Sequence, residues 1–320
     1  MEAEQVCEGT DYYKLFAEGF PHILEKIIFS GNYSTYKKCL RIDSYYRKTL
    51  TTERYITKGK TVFKRAIKKD ERKLSKTARN NNTREAKKLL ASGMIDINEI
   101  VHGHLEWTPL HEAAKYGSYE MTKLLIKRGA ELDPTDINGE TPLHRAAIYG
   151  QEGVTHYLIE KGASVNAITE GGTTPLHWAA RSNFRITHLL IGKGADLNVR
   201  NNDGETPLHW AVERHTKATG LLIDNGADMD ERDNMGNAPL HWAAKKGRSK
   251  VVRLLITKGA NVKAVNVNGE TPLHLLSSPT LLSYGTHIEL AQMLVDNGAD
   301  EDAIDNFGYV PEPILNLVDP

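Results

Sequence analysis

The tetrapeptide Thr-Pro-Leu-His recurs at Thr108–His111, Thr141–His144, Thr174–His177, Thr206–His209 and Thr271–His274, and Ala238-Pro239-Leu240-His241 is a sixth copy. The steps between copies are 33, 33, 32, 32 and 33 residues. Each copy runs into a short alanine-rich stretch, then an apolar stretch, then a Gly-Ala pair at Gly129, Gly162, Gly194, Gly226, Gly259 or Gly298. A unit of this length is too small to bury its own apolar face. Stacked neighbours must do it for one another, and the outcome is a nearly one-dimensional solenoid.

Each residue of the unit has a local reason. The Thr141 hydroxyl stands where a helix must begin and can cap free backbone N–H groups. Pro142 follows at the first helical position, where its missing N–H costs nothing. Leu143, Ala146 and Ala147 make a narrow face on which a second helix packs closely. That helix is predicted over about Gln151–Glu160, offering Val154, Tyr157, Leu158 and Ile159 to the core. Gly162 ends it in the left-handed conformation, and Asn166 to Gly172 project as a turn or hairpin towards the next unit. Residues 72–98 carry Leu74, Ala78, Ala86, Leu89, Leu90 and Gly93 in phase but lack the tetrapeptide, so they read as a degenerate first repeat. Asp305 to Pro311 repeat the hairpin and its proline, as a partial closing cap.

These motifs resemble the ankyrin-repeat family over roughly residues 72–320. The resemblance implies an all-α solenoid that binds proteins along a concave groove. Three departures from the period stand out. His177 to Gly194 and His209 to Gly226 each span 17 residues where three other units span 18, so one residue is missing from the inter-helix turn. His274 to Gly298 spans 24, which places an insertion of about six residues within Ser277–Thr286.

The chemistry expected of this array is binding rather than catalysis. It contains no GxSxG, P-loop, GxGxxG or HExxH motif, so neither an enzyme nor a cofactor site is expected. Six of the 13 histidines are the signature histidines, expected to bond neighbouring backbone and turn groups. His102 and His104, with His111 nearby, lack a carboxylate or thiolate at a spacing that would complete a metal set. The two cysteines, Cys7 and Cys39, form no CxxC, which fits a reducing compartment, cytoplasmic and/or nuclear. The acidic start has no apolar h-region, and no run of about 18 apolar residues exists, so neither a signal peptide nor a membrane span is expected.

Four tryptophans carry the binding expectation. Trp178, Trp210 and Trp242 each follow a signature histidine, and Trp107 precedes a signature threonine. In the resembled fold these positions flank the groove. Adjacent repeats would set the rings roughly 10 Å apart as a ladder. Glu112 and Arg145 hold the equivalent positions towards the N-terminus and Leu275 the later one, so the groove is expected to run from charged to aromatic to aliphatic. Tryptophan is enriched at binding hot spots, and such a groove suits a peptide or protein partner better than a small substrate. The competing reading is that the rings pad the first helices against each other.

The remainder of the chain has a different texture. Net charge is zero overall, yet residues 1–36 carry −4, residues 37–90 carry +14 and residues 91–320 carry −10. We divide the chain into an acidic tail (1–14), a helical module (15–58), a basic linker helix (59–71) and the repeat domain (72–320). In the module, Ile23, Leu24, Ile27 and Ile28 follow helical spacing after Pro21, Gly31-Asn32 ends that helix, and two more short helices follow through Leu40 and Leu50. Phe20-Pro21, Ile23 to Ile27, Phe29-Ser30, Tyr33-Ser34, Cys39-Leu40 and Tyr46 resemble an F-box. That resemblance implies docking on a Skp-type adaptor of a cullin–RING ubiquitin ligase through Phe20, Pro21, Ile23, Leu24, Ile27 and Ile28. The chain would then be a substrate receptor, monomeric outside its complexes, with the repeats holding the target. The alternatives are a ligase-independent ankyrin scaffold or inhibitory binding protein, and a nucleic-acid binder through the basic stretch Lys58–Arg84. The last is disfavoured because only Phe63 interleaves those charges with an aromatic ring.

Overall fold

The computed structural model describes residues 72–91, 95–100, 106–276 and 284–311. The helical module expected over residues 15–58, the expected basic linker, His102, His104 and most of the Ser277–Thr286 insertion lie outside the described residues. Residues 72–79 are helical and pair with α1 (Thr83–Ala91) as the degenerate first repeat. Five full helix pairs follow: α2 (Pro109–Lys115) with α3 (Tyr119–Lys127), α4 (Pro142–Ile148) with α5 (Glu152–Glu160), α6 (Pro175–Ser182) with α7 (Phe184–Gly192), α8 (Pro207–Val212) with α9 (Thr216–Asp224), and α10 (Pro239–Lys245) with α11 (Ser249–Thr257). In the last unit the described part of the first-helix position is a 3-10 turn, His274–Leu276, and the second helix is α12 (Tyr284–Asp296). Among the described residues there is no β-strand, and each helix packs on its partner and on the same helix of the next unit.

The core is one continuous column running from Leu74 to Ala299. The signature leucines and the Ala-Ala pairs are nearly all at 0% exposure, which is what lets successive short helices approach closely. Second helices contribute Met121 and Leu125, Val154 and Leu158, Ile186 and Leu190, Leu222, and Leu255. Ile159 is half-buried and packs against the core as expected, whereas Tyr157, also half-buried, is not part of it, which corrects the expectation for that ring. Tyr157 instead lies edge-on to Tyr119 of the preceding unit, ring centroids 5.7 Å apart. A threonine recurs inside this apolar column, as Thr122, Thr155, Thr187 and Thr219. Each hydroxyl donates to the carbonyl four residues back, at 2.8–3.1 Å, so no polar atom is stranded there.

The one-residue deletions fall in the inter-helix turn. In the full-length unit the turn passes through Gly150 at φ +70. In the first short unit Asn183, at φ −147 and ψ 107, both ends α6 and caps α7, and its Oδ1 accepts from Arg185 and Ile186 N–H at 2.9 and 3.1 Å. An extended asparagine thus does the work of the left-handed glycine.

Between units the chain forms a finger closed by an Asx side chain. Asp136, Asn201, Asp233, Asn266 and Asp305 each accept two backbone N–H groups of their own finger through Oδ1. Fingers then stack by one backbone bond apiece, for example Asn234 N–H to Asp203 O at 2.9 Å and Val267 N–H to Met235 O at 3.0 Å. Gly236, at φ +76, sits in this contact, and a Cβ there would lie 2.9 Å from the Val267 nitrogen. Gly129 has φ +91 but nothing within 4 Å of its Cβ position. We predict that G129A costs about 1 kcal/mol, the left-handed strain alone. G236A should cost at least about twice that, because it also breaks an inter-finger bond. Urea midpoints by circular dichroism check the order, and equal losses would count against the stacking role of the fingers.

Candidate functional site

The signature histidines hold successive units together. In every copy Nδ1 accepts the N–H of the residue that opens the helix, at 3.1–3.2 Å. An N–H only donates, so Nδ1 is the acceptor and the proton sits on Nε2. Nε2–H then donates to a carbonyl in the next finger: Glu140, Thr173, Glu205, Asn237, Glu270 or Tyr309, at 2.9–3.2 Å. The threonine hydroxyls lie 2.8–3.0 Å from the same Nδ1. The helix-capping contact expected of them reaches only 3.4 Å, at Thr141 and Thr271. Burial disfavours the charged imidazolium and lowers His111, His209 and His241, and it brings His144 and His177 down to about 4. Both nitrogens of His111 are engaged in these bonds, so it is not free to join a metal set.

The six residues assigned to the groove divide into two groups. Trp107, Glu112 and Arg145 are each nine-tenths buried or more. Glu112 accepts Arg79 Nη2 at 2.9 Å and Nε at 3.3 Å, tying the first repeat to α2. Arg145 donates to Asp136 at 2.6 Å, pairs with Glu140, and stands 4.5 Å over the Trp107 ring. Trp107 Nε1 donates to the same Asp136 at 2.9 Å. Burial pushes the Asp136 carboxyl upward, but bonds from Arg145, two backbone N–H groups and Trp107 outweigh it and hold it below the ordinary carboxylate range. Burial raises Glu140, against the pull of Arg145. These side chains form a closed box, and the expected charged opening of the groove is corrected to a structural ion-pair cluster. The indole and the acids take up the guanidinium's Nη2 and its face, while Arg145 Nε stays buried without a partner, and little of the cluster faces solvent.

Trp178, Trp210 and Trp242 remain half-buried. They do not form the evenly spaced ladder. Trp178 and Trp210 meet edge to face with centroids 4.8 Å apart, while Trp242 packs against the His209 ring at 6.0 Å. Trp210 Nε1 donates to Glu205 at 2.6 Å and Trp242 Nε1 to Asp233 at 2.9 Å. Where other units place these acids, the Trp178 unit has Thr169 and Thr173, whose hydroxyls bond each other at 2.7 Å, and the Trp178 N–H is buried with no partner. The sequence reading missed these acid partners. The signal was present: aligned by the repeat, Asp136 and Asp233 both lie nine residues before the position of Arg145 and Trp242.

A cleft of about 470 Å³ opens beside Trp242. Fingers supply Asp203, Glu205, Asp233 and Met235, α10 supplies Trp242 and Lys245, the C-caps of α8 and α10 supply Glu213 and Lys246, and Leu275 closes one end. Trp242 is thus the one groove tryptophan among the cleft's lining residues, with the aliphatic end anticipated for Leu275 next to it.

Histidine-pinned helix pairs joined by stacked fingers define a helical repeat scaffold. Three copies of the family model for ankyrin repeats match residues 74–169, 167–233 and 217–305. The chain belongs to the ankyrin-repeat family, whose members bind other proteins through such repeats. No curated protein matches it. Among the described residues no helix is long and apolar enough to cross a membrane.

Proposed function

We propose that the chain is a noncatalytic adaptor. Its repeats hold a target protein along the face marked by Trp178, Trp210 and Trp242, and its leader presents that target to a Skp-type adaptor of a cullin ubiquitin ligase. The observation that carries the first half is the cleft beside Trp242, where a large ring with an anchored N–H lines open space between fingers and first helices. A ring held in this way offers wide contact area at small entropic cost. The second half rests on the F-box-like residues from Phe20 to Ile28.

Two experiments separate the halves. Affinity capture with a Skp-type adaptor should retain the intact chain, and a F20A/P21A double substitution should release it. No retention under conditions where a known F-box protein binds would remove the ligase role. The reading of a ligase-independent scaffold then predicts that residues 70–320 keep all cellular activity. For the groove, W242A should weaken target binding at least tenfold while leaving the helical signal in place. Parallel loss of helicity and binding would make the ring a packing residue.

A further inference from the structure

We infer that the cleft beside Trp242 receives a basic side chain, arginine above all, from a segment of the bound protein. The inference deepens the proposed groove function and rests on it. The chain itself shows twice how this scaffold holds a guanidinium. Arg145 lies over Trp107 and bonds Asp136, the carboxylate that also anchors that indole's N–H. Arg181 stands 5.7 Å from the Trp210 ring centroid and pairs with Glu213 at 3.4 Å. Trp242 has the same equipment: a half-buried indole whose N–H is anchored on a carboxylate, Asp233. It lines an open cleft, and no arginine is among the cleft's lining residues.

The charge balance points the same way. The lining holds four carboxylates, of Asp203, Glu205, Glu213 and Asp233, against the ammonium groups of Lys245 and Lys246. Lys246 lies 3.8 Å from Glu213, and Arg181 occupies that glutamate from the other side. The excess negative charge therefore gathers at Asp203, Glu205 and Asp233, beside the indole. An acidic segment would be repelled there. A planar guanidinium can stack on the ring and bond a carboxylate at once, which a lysine ammonium does less well. Met235 and Leu275 at the cleft offer apolar contact to the residues flanking the arginine.

The test is selection of phage-displayed random dodecapeptides on the full chain. The expected result is an enriched family sharing one arginine, or lysine with weaker binding, next to apolar residues. Arginine-to-alanine replacement in the best peptide should cut its affinity at least tenfold, and so should D203K in the protein. Asp203 is exposed at a fingertip where only its backbone is bonded to neighbours, so this charge reversal leaves the fold intact by circular dichroism. Enrichment of peptides without a basic residue, whose binding is lost in W242A, would overturn this inference and leave the groove function standing. If no peptide is enriched, or if the enriched ones bind W242A and D203K unchanged, the groove reading falls with it.

Discussion

Acidification from pH 7 to pH 5 should strip several kcal/mol of stability from the repeat domain, before ordinary carboxylates begin to titrate. His111, His144, His177, His209 and His241 must be neutral in the folded chain, because Nδ1 accepts an N–H and cannot also carry a proton. His144 and His177 have folded values of about 4 against 6.5 when exposed. A depressed imidazole means that the unfolded chain binds protons which the folded chain refuses. Stability is then unaffected above about pH 6.5, falls as pH drops through that value, and levels off below about pH 4. At pH 5 each of these two histidines costs about 2 kcal/mol by that linkage. His111, His209 and His241 are shifted in the same direction and add to the slope. Urea midpoints measured at half-unit steps should fall steadily from pH 6.5 to pH 4. H144Q should lower stability at pH 7 and flatten the slope. A midpoint unchanged between pH 7 and pH 5 would show that the rings are not held neutral.

The second large effect is expected at Arg145. R145A would leave the Asp136 side chain, fully buried, and Glu140, nearly so, facing each other without a cation. It would also strip the Trp107 ring of its stacked partner. Breaking a buried pair by removing one member costs about 3–5 kcal/mol, since the stranded charge keeps its desolvation penalty. R145K should recover part of this, because an ammonium restores charge but neither stacks nor forks. The check is the urea midpoint of R145A and R145K beside W242A. If R145A melted like the unsubstituted chain and lost only target binding, the box would be a recognition surface after all.

The two predictions mark where sequence reasoning ended. Period, helix starts, the leucine and alanine column, the role of the six histidines and the site of the one-residue deletions were all legible, since each follows from residues within one unit repeated in register. The fate of individual side chains was not. Trp107 and Arg145 looked like groove positions by their place in the repeat. They are sealed because Asp136 and Glu140 happen to stand opposite, 29 residues from Trp107 in one case and five residues before Arg145 in the other. Trp210 and Trp242 each lie edge-on to the signature histidine of the preceding unit, yet only Trp210 also meets a neighbouring indole, Trp178, and no spacing rule distinguishes them.

From its sequence alone the repeat region of this protein is a helical stack with a fixed unit, because local capping and a hydrophobic period of 32–33 residues leave no other way to bury the apolar face. Tertiary structure alone decided which of its tryptophans and charges meet solvent. Burial of a side chain depends on what the neighbouring finger and helix carry opposite it, and that pairing is a property of the stacked units together rather than of any one of them.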